Sequence, residues 1–247
     1  MADWIRLFTE HDLFSGAEFE ITGDQAHYLT KVMRLGAGDD VRLFNGRHGE
    51  WRCRITDADK RACGLAAEGQ IRGQTCEPPK ESAPWLVFAP VKKAGTDFII
   101  QKATELGTGR LIAVTTANTQ TGRVNVDRLR ANAIEAAEQT GRLSVPEVKD
   151  GGKLDDALAG WPDGRRLYML DETGGGAPIA DAVSAAPGPC AFLTGPEGGF
   201  QPGELDRLGK LPFVTRIGLG PRILRAETAG LAALAVWQAV AGDWRST

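Results

Sequence analysis

The chain has 247 residues, and its 29 lysines and arginines against 32 acids give a formal charge of -3 and an isoelectric point near 5.7. That balance excludes a histone-like or tail-driven polyanion binder and leaves room only for a local basic face. Cys53, Cys63, Cys76 and Cys190 form no C-x-x-C pair and have no histidine at ligand spacing, so free reduced thiols and no metal site are expected.

Residues 1–72 alternate short β-like runs at 5–8, 18–21, 41–44, 51–55 and 63–67 with Gly and Asp clusters, the pattern of a small barrel or sandwich. One helix interrupts it: Asp24 is placed to cap a stretch in which Ala26, Leu29, Val32 and Met33 recur at helical spacing until Gly36. Residues 73–84, with Gly73, Pro78, Pro79 and Pro84, read as a linker. From 85 to 247 apolar runs alternate with amphipathic stretches, as in an α/β domain with a parallel sheet covered on both faces. Strands are expected at 85–89, 111–115, 166–170, 190–193 and 214–217, and helices at 96–106, 126–140, 154–158, 202–208 and 226–241. The first residues lack a basic segment followed by an apolar one, and the longest apolar stretch, 229–240, is interrupted by Gly230 and Gln238. No membrane partner and a cytoplasmic location are therefore expected.

Two expected strands empty into glycine turns, Leu193-Thr-Gly-Pro-Glu-Gly-Gly-Phe200 and Ile217-Gly-Leu-Gly-Pro-Arg-Ile-Leu-Arg-Ala-Glu-Thr-Ala229. Glycine turns at the carboxyl ends of parallel strands let backbone meet a ligand with no Cβ in the way. An isolated G-P-E-G-G reads as a pair of surface turns; the second segment changes the balance. Between Lys210 and Arg225 lie four cations, Lys210, Arg216, Arg222 and Arg225, and no acid, mixed with Leu219, Ile223 and Leu224. Apolar residues suit a planar ring and arginines suit phosphate or developing negative charge. No G-x-x-x-x-G-K-[ST] is present, and the G-x-G pairs at Gly107 and Gly218 are followed by Ile112 and Ile223 where a dinucleotide loop has its third glycine.

These two segments, with Gln101-Lys-Ala-Thr-Glu-Leu-Gly107, Ala136-Ala-Glu-Gln-Thr-Gly-Arg142, Val145-Pro-Glu147 and His27-Tyr-Leu-Thr-Lys-Val-Met-Arg-Leu35, closely resemble the ribosomal RNA small subunit methyltransferase E family of the SPOUT superfamily. The resemblance implies an α/β, SPOUT-type parallel sheet with a C-terminal trefoil knot and a small N-terminal PUA-like β-barrel. It also implies S-adenosyl-L-methionine as methyl donor, a homodimer, and methylation of N3 of a uridine in small-subunit (16S) ribosomal RNA. By the same analogy the donor site comprises Leu170; Leu193, Thr194, Gly195, Glu197, Gly198 and Gly199; and Ile217, Gly218, Leu219, Gly220, Ile223, Leu224, Arg225, Thr228 and Ala229. The loop Asp171-Glu-Thr-Gly-Gly-Gly176 departs from the family pattern, and Arg6 lacks the proline that precedes the family's basic position.

Uridine N3 carries a proton at neutral pH, and as it leaves, negative charge spreads over O2 and O4. A cation or N–H donor stabilises that charge, and a carboxylate or water takes the proton. Arg225 is the expected cation, with Glu197 and Glu227 as alternative proton acceptors or loop-fixing groups; Glu227 also suits the positive end of a helix. RNA contacts are expected from Arg6, Lys31, Arg34, Arg42, Arg52, Arg54, Lys92, Lys93 and Arg222, with Arg47, Lys60, Arg61, Lys102, Arg123 and Arg142 nearby in the sequence pattern. The C-terminal helix, carrying Leu231, Leu234, Ala235 and Trp237, is the expected dimer contact. The competing readings are a SPOUT methyltransferase with another RNA target and a non-catalytic RNA-binding or ribosome-assembly protein.

Overall fold

The computed structural model describes residues 5–59, 61–76 and 82–245; Lys60, Pro78 and Pro79 lie outside the described residues. The chain forms two compact units, Met1–Glu77 with Ala137–Val145, and Pro78–Ala136 with Pro146–Thr247. The inclusion of 137–145 in the first unit is invisible to a reading that divides the chain linearly.

In the first unit, β1 (Arg6–Phe8), β2 (Glu18–Thr22), β3 (Asp40–Phe44), β4 (Glu50–Ala58) and β5 (Ala62–Arg72) form one sheet in the order β1-β3-β4-β5-β2. Only the β1/β3 pair is parallel. Alternation builds the core: Cys53 and Ile55 of β4 and Cys63, Leu65 and Ala67 of β5 point inward, where they meet Val41, Leu43 and Leu29. The expected helix at 24–35 is instead a short α1 (Gly23–His27) running into a wider π-helical turn, Tyr28–Val32. Thr22 occupies its N-cap without a side-chain bond, and Asp24 lies within the first turn.

Arg6 was expected at an RNA surface, and the structure corrects this. Its Nε donates to Glu50 Oε1 at 2.6 Å, and its terminal nitrogens donate to the carbonyls of Ala137 (3.0 Å), Glu138 (2.8 Å) and Arg142 (2.8 Å). Glu50 is 1 % exposed. A buried carboxylate needs such a partner, so Arg6 is an internal tie between β1, β4 and the 137–145 segment.

The second unit contains β6 (Trp85–Phe88), β7 (Arg110–Thr115), β8 (Glu147–Lys153), β9 (Arg166–Leu170), β10 (Ala177–Pro178), β11 (Cys190–Thr194) and β12 (Val214–Gly218). All pairs are parallel, in the order β10-β12-β9-β11-β6-β7-β8. The helices are α2 (Lys93–Glu105), α3 (Val126–Thr140), α4 (Leu154–Ala159), α5 (Ile179–Ala185), α6 (Pro202–Leu208) and α7 (Ala226–Val240). The central strands are buried on both faces and so read as continuous apolar runs. Leu167, Met169, Ala191 and Leu193 pack with Leu154 and Leu158 of α4 and Leu205 and Leu208 of α6. On the other face Tyr168 stacks on Phe192 at 5.5 Å and donates its hydroxyl to Ala182 O of α5 at 3.1 Å, while α7 packs on α2, α5 and β11.

At the amino end of this sheet Arg110 and Arg165 each lie 3.9 Å from the centroid of the Trp85 ring, and Arg165 also donates to Ala83 O and Cys190 O. Among the described residues no helix is long and apolar enough to cross a membrane.

Arg6→Ala would leave Glu50 charged and buried, with Arg72 at 3.9 Å as its remaining cationic partner among the described residues. It should destabilise the first unit by about 3 kcal/mol, measured by denaturant unfolding; a loss below about 1 kcal/mol, the scale of an exposed pair, would refute the internal role.

Candidate functional site

Strands β12, β9 and β11 are neighbours, so the loops that follow them, residues 219–225, 171–176 and 195–201, open at one end of the sheet. The chain lays β6, β7 and β8 in one direction and then places β9 and β11 on the other side of β6, creating the reversal at which open α/β sheets bind ligands.

Asp171, at the end of β9, ties its own loop to β12. Its Oδ1 accepts from the Thr173 amide (2.9 Å) and hydroxyl (2.7 Å), and its Oδ2 accepts from Arg216 Nε (2.9 Å) and lies 2.6 Å from Nη2. Burial opposes the charged carboxylate, but the Thr173 and Arg216 contacts outweigh it and hold its pKa below the ordinary value of 3.8. Arg216, one of the four cations noted in the sequence, is therefore a loop anchor. Gly176 lies so close to β12 that a Cβ there would come within 2.4 Å of Ile217 backbone.

The 195–201 loop is held from two sides. Phe200 N donates to Glu172 Oε1 at 3.1 Å, and Asn118 Nδ2 donates to Gly198 O (3.0 Å) and Gly199 O (3.1 Å). Gly199 has φ of +66°, and a Cβ on it would meet Glu172 Oε1 at 2.3 Å, so only glycine fits. Glu204 uses one oxygen to cap its own helix, accepting from Gln201 N, and the other to accept from Ala117 N, both at 2.9 Å. The Gln201/Glu204 spacing is a capping-box signal readable from sequence; nothing in the sequence singles out Asn118 or Glu172.

Leu170, Leu193 and Ile217 are buried at the strand ends, and the Thr194 hydroxyl donates to Ala226 O at 3.3 Å. Gly195 sits where a Cβ would meet the Phe200 ring at 2.9 Å. In the third loop Gly220 has φ of +91° with open space beyond it; Gly218, Leu219 and Leu224 are half-buried, and Ile223 is 84 % exposed. Arg225 is the N-cap of α7, with Glu227 in the first turn, followed by Thr228 and Ala229. The side chains of Glu197, Arg222 and Arg225 are exposed and, like Glu227, have no ionic or hydrogen-bond partner among the described residues.

The expected RNA residues divide sharply. β3 and β4 are adjacent, with Arg42 opposite Arg52 and Asp40 opposite Arg54. Arg52 lies 3.2 Å from Glu68, and Arg54 pairs with Glu68 (2.7 Å) and Asp40 (3.2 Å). Arg52 and Arg54 are thus held by carboxylates of their own sheet. Lys31, Arg34, Lys92 and Lys93 are exposed and unpartnered among the described residues, whereas Lys102 pairs with Glu105 and Arg123 with Asp150. Cys53 and Cys190 are free and buried, and burial pushes both thiols up to about 12, which makes them unreactive.

Residues 78–238 match the RNA methyltransferase domain family and residues 21–64 the RNA methyltransferase PUA domain family. Ribosomal RNA small subunit methyltransferase E of Rickettsia conorii is 32 % identical, covering 93 % of both chains, and that of Bacillus subtilis is 31 % identical, covering 92 % of this chain and 91 % of its own. The chain belongs to the ribosomal RNA small subunit methyltransferase E family. A crystal structure of the Neisseria gonorrhoeae member of this family bound to S-adenosyl methionine superposes with a TM-score of 0.86 at 26 % identity, over 98 % of this chain and 99 % of that one.

Two outcomes follow from the loop anchors. Glu172→Ala should weaken S-adenosylmethionine binding roughly five- to tenfold, the scale of one lost hydrogen bond, without shifting global unfolding; unchanged affinity by calorimetry would remove Glu172 from the site's support. Asp171→Asn should cost about 1–2 kcal/mol at neutral pH. Because the folded carboxylate titrates below 3.8, its contribution is complete above the unfolded value and disappears as pH falls through the folded one. The stability gap between wild type and variant should therefore close in acid, and a gap independent of pH would refute the ion-pair account.

Proposed function

We propose that the protein transfers a methyl group from S-adenosylmethionine to N3 of a uridine in small-subunit ribosomal RNA, in the cytoplasm and as a homodimer. The observation that carries this reading is the convergence of three glycine-bearing loops at the ends of β12, β9 and β11, with the unpaired Arg225 at the start of α7 beside them in sequence.

The residues present suit the donor. Gly195, Gly198, Gly199 and Gly220 keep side chains out of the loops, and Leu219, Ile223 and Leu224 supply apolar surface for a planar base beside exposed backbone. S-adenosylmethionine brings a methyl group on a sulfonium that is already a good leaving group. The protein's tasks are then to align the acceptor and to make its nitrogen nucleophilic. Arg225 stabilises the charge that spreads over O2 and O4 as N3 loses its proton, and Glu197 or Glu227 accepts that proton.

Helix energetics support assigning Arg225 to chemistry. A cation at a helix N-terminus opposes the helix dipole, and arginine makes no capping bond here. The position does nothing for α7, whereas Glu227 in the same turn is favourable to it. Lys92 and Lys93, at the start of α2, and Arg222 are the catalytic unit's candidate phosphate contacts.

The trefoil knot through these last strands belongs to this reading on the family resemblance alone. For the homodimer, α7 contributes less than its composition promised. Leu234 and Trp237 are buried within the protomer, leaving half-buried Leu231 and Ala235 and Trp244, 54 % exposed. A strictly monomeric mass by sedimentation would refute the dimer.

Nucleoside mass spectrometry of ribosomal RNA from cells lacking the gene tests the product: one 3-methyluridine should vanish from small-subunit RNA, and its persistence would overturn the assignment. Arg225→Ser places a good N-cap residue at α7, so stability should hold or rise by about 0.5 kcal/mol while kcat falls about a hundredfold or more. Arg222→Ala should instead weaken RNA binding and flatten its salt dependence while sparing kcat. The reversed pattern would exchange the two roles.

A further inference from the structure

A cavity of about 260 Å³ opens at the ends of β7 and β8, between Thr115 and Thr116, the start of α4 with Lys153 and Asp155, and Glu204 of α6. All strand pairs of this sheet are parallel, so the cavity lies at the same end as the three glycine-bearing loops, with β6 between β7 and β11. It is smaller than the pockets that enclose drug-sized ligands, and the proposed reaction makes no use of it.

Most of its polar groups are already engaged. The Thr115 hydroxyl donates to Gly152 O at 3.1 Å, and the Thr116 hydroxyl lies 2.9 Å from that of Thr119. Glu204 gives one oxygen to Ala117 N and the other to Gln201 N. Capacity remains on two side chains. Lys153 is exposed and has no partner among the described residues. Asp155, its side chain 68 % exposed, meets Arg207 at 3.3 Å through Oδ2, which leaves Oδ1 open among the described residues. Leu154, 4 % exposed, and Ala117 add apolar wall.

One cation against two carboxylates disfavours a phosphate here. The lining matches a neutral planar group with an acceptor and donors along one edge. Guanine presents O6 beside N1–H and N2–H, so a carboxylate can take both donors while an ammonium takes O6. Adenine and cytosine turn a ring lone pair toward the carboxylate, and uracil turns its O2 there, so each leaves like charges facing.

We propose that this cavity holds a guanine base of the substrate RNA, with Asp155 accepting from N1–H and N2–H and Lys153 donating to O6. The proposal rests on the reading of this chain as an RNA methyltransferase, and an unstacked base read on its Watson–Crick edge is the usual currency of single-stranded RNA recognition. β7 lies two strand spacings, roughly 10 Å, from β11, so the base belongs to a nucleotide close to the one methylated. Glu204 and Ala117 line the cavity and also support the 195–201 loop, so a seated guanine touches the same residues that position that loop.

Fluorescence anisotropy of the full-length protein with short labelled oligouridylates, whose central nucleotide is guanosine, inosine, adenosine, cytidine or uridine, tests this. Wild type should bind the guanosine oligomer about tenfold more tightly than the adenosine, cytidine and uridine ones, the scale of one bidentate base contact. Inosine, which lacks the N2 amine, should fall between. Asp155→Ala and Lys153→Ala should each abolish the preference without lowering the melting temperature. Arg207→Ala removes the same ion pair but keeps the carboxylate, and should retain the preference.

Equal or absent binding of the oligomers by wild type, or a guanosine preference that survives Asp155→Ala, would overturn the proposal. So would an equal loss in Arg207→Ala, which would make the ion pair structural. The assay contains neither donor nor turnover, so absence of methyl transfer by the wild-type protein would refute the proposed reaction and leave this result standing.

Discussion

The Asp171–Arg216 pair joins the end of β9 to β12, and the geometry of the candidate site depends on it. A buried carboxylate is costly unless its oxygens are satisfied, and here Arg216 and Thr173 satisfy both. Holding Asp171 sets the path of residues 172–176. That path places Glu172 to receive the Phe200 amide and presses Gly176 onto Ile217. Neighbouring loops with no regular structure thereby acquire fixed positions, and Asn118 and Glu204 do the same from the β7 side.

The arginines show how composition misleads about function. Arg6, Arg52, Arg54 and Arg216 look alike in the sequence to Arg34, Arg222 and Arg225, yet the first four are bound to carboxylates within their own unit. The last three are exposed and without side-chain partners among the described residues. Alternation along β3 and β4 correctly indicated which side chains share a face. It carried no information about Glu68, which sits on β5 and pairs with two of them.

Strong periodicity made much of the fold legible. The five strands expected in the first unit and the five expected in the second are present, and α3 and α6 have the expected limits. The missing elements share a physical cause. β8, with the sequence Glu-Val-Lys-Asp-Gly-Gly-Lys, is an edge strand whose burial pattern has no inward face, so alternation is absent. α5 buries only Ile179 and Val183, too few for a periodic signal. The two glycine loops were readable because glycine is required there, whereas their supports, Asn118 and Glu172, are ordinary polar residues whose role exists only once the strands are side by side.

The order of the second sheet has a consequence for biosynthesis. β6 and β9 leave the ribosome before β11, yet β11 lies between them in the finished protein. A nascent chain that has reached β9 holds two apolar strands with compatible edges and no spacer, and their direct pairing would exclude the strand still to come. Parallel pairings of this kind form slowly because their ends are far apart in the chain. The last third of the polypeptide therefore enters between strands made before it, and the site cannot exist until β11 and β12 have joined the sheet.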